Sequence, residues 1–279
     1  MNVNELVEKN RAIMAFVEQT IIPIVIDYTD QDGKRVAGTY ATGTLFQFDD
    51  KYFMMSASHV FDDIEKIKNF VGIPVAFENA QILSFDKCIL SRPDNPVARN
   101  LYDIAAVRLD SFIVNELKKH YRFLTYSNVG GIDYTGSFYV SGFPSIFSRF
   151  EEKQSRVVGA PFRFMTSATV PTQDDLRLMN PSVHILLQYG ETVYENGINK
   201  TGVSAPKDLG GISGCSIWNY VEDESGLWTP ERVLKVVAIQ TSVKKYSWIK
   251  GTKWDSIANA FENIDPQISQ KIKEAVGVH

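Results

Sequence analysis

Short apolar or alternating runs, separated by turn-forming residues, recur through the middle of the chain. They predict strands at Ile21–Tyr28, Val36–Phe48, Tyr52–Ala57, Val71–Phe77, Ala80–Leu90, Ile104–Leu109, Gly136–Gly142, Ser155–Thr169, Ser182–Tyr189, Cys215–Val221 and Val233–Thr241. The punctuation between them is Asp30-Gln31-Asp32-Gly33, Asp49-Asp50-Lys51 and Asp223-Glu224-Ser225-Gly226, all of which favour turns. The ends follow another period. From Asn4 to Glu18, Leu6, Ile13, Met14, Phe16 and Val17 recur at mostly helical spacing behind a possible cap at Asn2 or Asn4, which predicts a helix covering apolar surface. From Lys253 to Val276, Ile257, Phe261, Ile264, Ile268, Ile272 and Val276 do the same, and Pro266 divides that tail into two helical pieces. Many short strands between helical ends predict a mainly β chain of two packed antiparallel barrels.

Composition narrows the picture. With 279 residues and 44% hydrophobic content, one large β unit with appendages can bury a sizeable core. A net charge of −4 gives no electrostatic footprint for nucleic acid, and Lys118-Lys119 and Lys244-Lys245 read as solvated pairs. The longest early apolar stretch, Ile21 to Ile26, is too short to cross a bilayer and contains Pro23, so no membrane association is expected. Two cysteines far apart, Cys88 and Cys215, read as small buried hydrophobes with free thiols. Their number, and the lack of a charged-then-apolar leader, predict a cytoplasmic location.

Candidate chemistry lies in three segments. Ser213 sits in Leu209-Gly210-Gly211-Ile212-Ser213-Gly214-Cys215-Ser216. Upstream, the apolar run Phe53 to Val60 carries His59, and Asp103 opens the apolar run Ile104 to Val107. A serine hydroxyl is a poor nucleophile at neutral pH and needs an imidazole to take its proton, and the imidazole needs a carboxylate to set its tautomer. Glycine before the serine leaves room for backbone N–H groups to meet an oxyanion, with Gly211 and Ser213 as the natural donors. Of the four histidines, His120 follows Glu116-Leu117-Lys118-Lys119 and reads as solvated, while His184 alternates with apolar residues and reads as structural. The other serine-hydrolase pattern, Gly-x-Ser-x-Gly with a later histidine, fails: Cys215 occupies the second glycine position and only His279 follows.

These residues resemble the chymotrypsin-like (trypsin-like) serine peptidases. Gly211-Ile212-Ser213-Gly214 resembles their Gly-Asp-Ser-Gly turn, Ser56-Ala57-Ser58-His59 their Thr-Ala-Ala-His, and Asp103-Ile104-Ala105 their Asp-Ile-Ala. Thr42-Gly43-Thr44-Leu45-Phe46 followed by Tyr52-Phe53-Met54-Met55 resembles the hairpin preceding the histidine in bacterial members, and the cytosolic bacterial members are the nearest in kind. The resemblance implies two packed six-stranded antiparallel barrels. The expected layout is an N-terminal helix at 1–19, a first barrel at 20–120 with His59 and Asp103, a second at 121–250 with Ser213, and a helical tail at 251–279. It implies peptide hydrolysis through an acyl-enzyme, with no cofactor or metal. Ile212 replaces the aspartate that in zymogens pairs with a newly cut N-terminus, which leaves that route of activation without its acid.

The resemblance also locates a substrate pocket between the approach to Ser213 and the strand carrying Gln240, Thr241 and Ser242, whose backbone would pair with an extended peptide. Lys207, six residues before the serine, would stand at the pocket base, with Asp208 adjacent. A lysine there opposes preference for basic side chains. Two function classes follow: a regulated intracellular serine endopeptidase with protein or peptide substrates, with or without a regulatory partner, or a catalytically weak module that binds peptides or proteins in the same cleft.

Overall fold

The computed structural model describes residues 3–29, 32–33, 35–67, 70–75, 81–151, 156–193, 203–221 and 228–277. The expected turn at Asp223–Gly226, part of that at Asp30–Gly33, the expected strand ends at Ala76–Phe77, Ala80 and Ser155, and His279 lie outside these residues.

Helix α1 (Val3–Glu18) leads into β1 (Ile21–Thr29), β2 (Arg35–Phe48) and β3 (Lys51–Ala57). The two-residue loop Asp49-Asp50 joins β2 to β3 in the register Phe48 to Lys51, with Asp49 at a φ of 56°. Then come α2 (Ser58–Ile67), β4 (Phe70–Pro74), β5 (Ile82–Ser84), β6 (Ile89–Ser91), α3 (Pro96–Tyr102), β7 (Ile104–Arg108) and α4 (Ser111–Leu117). Side-chain caps set both short helices: Asn95 accepts from the Val97 N–H at 2.8 Å, and Asp110 accepts from Phe112 and Ile113. The second half holds β8 (Phe138–Gly142), β9 (Ser148–Glu151), β10 (Arg156–Gly159), β11 (Phe162–Thr166), β12 (His184–Gln188), β13 (Thr192–Val193), β14 (Val203–Ser204) and β15 (Ser216–Tyr220). It closes with α5 (Pro230–Val233), β16 (Leu234–Lys244), β17 (Trp248–Lys253), α6 (Trp254–Phe261) and α7 (Pro266–Val276).

Two curled antiparallel sheets form half-barrels. The first has seven strands in the order β5-β4-β1-β2-β3-β7-β6, and the second six in the order β11-β8-β15-β16-β17-β12. Among the described residues no pairing joins β5 to β6, whereas in the second sheet the segment just after β11 bridges β12 at Ala168 opposite Leu187, with Thr169 N–H donating to Leu186 C=O and Gln188 N–H to Ser167 C=O, both at 2.9 Å. Each sheet is bent at irregularities of register, between Ile24 and Val25 in β1 and between Ile217 and Trp218 in β15.

Several expected boundaries shift. The run Ala80–Leu90 is broken by a turn around Asp86-Lys87 into β5 and β6, and Ser155–Thr169 is broken at Ala160-Pro161 into β10 and β11. Residues after Ala57 turn helical, so His59 stands in the first turn of α2 and not at the end of a strand. Strand β17 was not legible because Ile249, Gly251 and Thr252 carry no apolar alternation, although Ile249, Gly251 and Thr252 are all buried.

Among the described residues three large hydrophobic clusters hold this frame, beside a small one of Met179, Leu186 and Trp248. One fills the first half-barrel around Ile24, Leu45, Met54 and Ala105, and another fills the second around Phe138, Ile185, Ile217 and Ala238. The third joins the sheets: Phe46, Phe48 and Phe53 of the first meet Trp218 and Ile239 of the second, with Phe16 of α1, Trp254 and Phe261 of α6 and Ile272 of α7. Phe46 and Trp254 meet edge to face at 5.0 Å, and Phe16 and Trp218 at 5.7 Å. Pro266 occupies the first turn of α7, where its missing N–H costs nothing, and Asp265 caps that turn.

Candidate active site

Asp103 is assembled first by the backbone. It ends α3 in the left-handed region at φ 49°, its N–H donating to Arg99 C=O, and its own C=O accepts from Ser58 N–H at 3.0 Å. Its carboxylate then reaches the N-terminus of α2. Oδ1 accepts from the His59 backbone N–H at 3.0 Å, and Oδ2 lies 2.9 Å from His59 Nδ1. The helix start favours the negative charge, and the ring contact fixes Nδ1 as the protonated nitrogen, leaving Nε2 as the acceptor. Burial lowers the His59 pKa, but hydrogen bonding and charge from Asp103, with Asp63 and Asp62 behind it, outweigh this and hold it above the ordinary 6.5.

The turn before β15 presents Ser213. Gly211 has a φ of 101°, and a Cβ there would meet Phe143 O at 2.5 Å and Ser145 N at 2.7 Å. Gly214 has a φ of 93°, and its Cβ would fall 2.1 Å from both Ser56 Oγ and Thr42 O. Only glycine fits either position. The turn is tied to the first sheet across the interface: Thr42 N–H donates to Ser213 C=O at 2.9 Å, Thr42 Oγ1 to Gly211 C=O at 2.8 Å, and Thr44 Oγ1 to Gly214 C=O at 3.1 Å. Ser56 Oγ in turn donates to Thr42 C=O. On the other side Gly214 N–H donates to Gln240 C=O and Gln240 N–H to Cys215 C=O, both at 2.8 Å. Among the described residues the N–H groups of Gly211 and Ser213 have no protein acceptor.

His59, Asp103 and Ser213 line one cavity of about 490 Å³, together with Lys207, Asp208, Leu209, Gly210, Thr241 and Ser242. All the sequence-derived candidates except Gly211 and Gln240 are among its walls. Gly211 is buried directly beneath the turn, and Gln240 is fully buried, its backbone engaged by Gly214 and Cys215. The hydroxyl of Ser213 and the ring of His59 share the cavity without a hydrogen bond between them.

Sequence reasoning missed several contributors. Thr42 and Thr44 are among them, because a threonine on a strand shows no sign that it donates to a turn about 170 residues away. Tyr189, Val243, Lys245 and Lys250 also line the cavity, and Tyr189 Oη donates to Pro206 C=O at 2.8 Å. Lys250 comes from β17, which carried no strand signal. His184 is buried and held neutral, its pKa pushed down to about 4 by burial and by the charge of Lys250. His120 is exposed. Cys88 and Cys215 form no disulfide; Cys215 is buried, Cys88 only half-buried, and burial raises both thiol pKa values. Among the described residues no cluster of three or more His, Cys, Asp or Glu could hold a metal, and no helix is long and apolar enough to cross a membrane.

No family model matches the chain, and no curated protein matches it. A solved structure from Sesbania mosaic virus, described by aromatic interactions that drive the coupled folding and binding of its intrinsically disordered VPg protein, resembles it with 12% identity and a TM-score of 0.45. The match covers 86% of this chain and 88% of that one. The two curled half-barrels are compatible with a chymotrypsin-like fold.

Proposed function

We propose that this chain is a serine endopeptidase of the chymotrypsin-like kind, its half-barrels corresponding to that family's two six-stranded barrels. The observation that carries the reading is the convergence around one cavity, from three distant segments, of an Asp103-bound His59 and a serine on a glycine-flanked turn. In this reading Ser213 Oγ attacks the substrate carbonyl carbon as its proton passes to His59 Nε2. Asp103 stabilises the imidazolium, and the N–H groups of Gly211 and Ser213 meet the oxyanion. Collapse expels the amine, which takes the proton from His59, and water then hydrolyses the acyl-enzyme by the same relay. Cys88 and Cys215 as free thiols support placing this activity in the cytoplasm.

The absence of a hydrogen bond from Ser213 to His59 favours a second reading, a peptide-binding module that uses the cleft without chemistry. A fluorophosphonate probe separates the two. The peptidase reading expects a single adduct on Ser213, lost in Ser213→Ala together with peptide hydrolysis, by about 10⁴-fold on the precedent of catalytic triads, while the variant's melting temperature is unchanged. An adduct on another serine, or none on a folded protein, would overturn it.

A further inference from the structure

Three lysines crowd a cleft in a protein whose net charge is −4. Lys207, Lys245 and Lys250 all line the cavity that holds Ser213. Several lysines elsewhere are matched by acids: Lys51 with Asp265, Lys244 with Asp175, Lys271 with Asp49 and Lys273 with Glu262. Among the described residues none of the three cleft lysines has a carboxylate within ion-pair distance. Lys245 lies over the Tyr246 ring at 5.1 Å, and Lys250 Nζ reaches only Leu178 C=O, at 3.4 Å.

The acids in the cleft are already engaged. Asp103 is bound to His59, and Asp208 Oδ1 accepts the Gly210 N–H at 2.7 Å to shape the approach to the nucleophile turn. Burial draws the Lys250 ammonium below its ordinary pKa, and the charge of Asp103 offsets this only in part. A half-desolvated cation without a carboxylate in ion-pair distance gains more from an incoming carboxylate than an exposed one does.

The wall of the cleft supplies a backbone register as well. Strand β16 pairs with β15 only as far as Ile239 opposite Ser216, with Gln240 bonded to the turn, yet β16 continues to Lys244. Among the described residues its β15 side carries no paired strand from Thr241 onward. On its other side β16 pairs with β17, where the register shifts between Gln240 and Ser242 and Lys250 stands opposite Ser242. An open strand edge takes an extended peptide by main-chain hydrogen bonds.

We infer that this cleft takes an acidic peptide, its carboxylate side chains directed at Lys207, Lys245 and Lys250. The preference for the ligand stands on the charges and the open edge; that the bound peptide is cut rests on the peptidase reading above. Direct binding tests it with Ser213→Ala protein, which leaves peptides intact. Short fluorescein-labelled peptides that differ only in Glu, Gln or Lys at two positions are followed by fluorescence anisotropy.

The Glu peptide is expected to bind about tenfold or more tightly than the Gln peptide, with the margin shrinking at high salt. Lys207→Gln and Lys250→Gln, each with an unchanged melting temperature, are expected to reduce that margin several-fold. Equal binding of Glu and Gln peptides, tighter binding of the Lys peptide, or displacement of the Glu peptide by an oligonucleotide of equal charge at lower concentration would overturn the inference. The two claims fail separately. A Glu preference without fluorophosphonate labelling removes the peptidase reading and keeps the acidic ligand; labelling without a Glu preference does the reverse.

Discussion

Asp103 does three things at once: it ends α3 in a left-handed conformation, caps α2 through the His59 N–H and orients the His59 ring. A non-glycine residue at φ 49° is held there by its surroundings, and aspartate is among the side chains that tolerate it. The consequence for His59 is measurable. Its folded pKa lies above the unfolded 6.5, so the pairing contributes stability fully below pH 6.5, and that contribution is lost as pH rises through the folded value. As a proton acceptor the ring becomes competent over the same rise. NMR titration of the imidazole should give a pKa above 6.5 that falls in Asp103→Asn. An unmoved value would mean that the acid does not govern the ring.

At the scale of elements, the second sheet holds the acid of the first. His184 and Thr252 are direct cross-strand partners on β12 and β17. His184 Nε2 donates to Leu101 C=O at 2.8 Å, and Thr252 Oγ1 to Tyr102 C=O at 2.6 Å, the two carbonyls immediately before Asp103. His184 Nδ1 accepts from the Asn180 N–H, so the ring is needed neutral. Its folded pKa of about 4 lies below the unfolded 6.5. Between these values the unfolded chain binds the proton and the folded one does not, so stability falls as pH drops from 6.5 towards 4. The full effect is on the order of 2–3 kcal/mol. Urea unfolding at a series of pH values should show this slope in the parent protein and a shallower one in His184→Gln. Equal slopes would place the acid sensitivity elsewhere.

For the whole molecule, the core between the half-barrels is closed by the chain ends. Helices α1, α6 and α7 contribute Phe16, Trp254, Phe261, Ile268 and Ile272 to the cluster that contains Phe46 and Trp218. The C-terminal tail is thus part of the frame that keeps His59 and Ser213 on facing walls. Ile272 is fully buried, and Ile272→Ala should cost about 2–5 kcal/mol. Calorimetry should record this as a lower melting temperature for a single transition. A change confined to the tail, with the rest of the molecule melting as before, would show that α7 is an appendage.

What the sequence determined by itself is local: which runs form strands, where glycine must stand beside Ser213, that the two ends are helical, and that Pro266 opens a new helix. Each follows from chemistry within a few residues, hydrophobic period, backbone freedom or a missing N–H, and needs no distant partner. Even the pairing of His59 with Asp103 was reachable, because both stand beside apolar runs in an order that matched a known pattern. The tertiary structure decided the rest. It made His59 helical because Asp103, 44 residues away, caps that turn. It gave Thr42 and Thr44 to the Ser213 turn, formed β17 from residues without alternation, set His184 and Thr252 behind Asp103, and gathered Lys207, Lys245 and Lys250 into one cleft. These contacts join segments far apart in the chain, those of Thr42, Thr44, His184 and Thr252 across its two halves, and a hydrogen bond formed at such separation leaves no period or composition in either segment that meets in it.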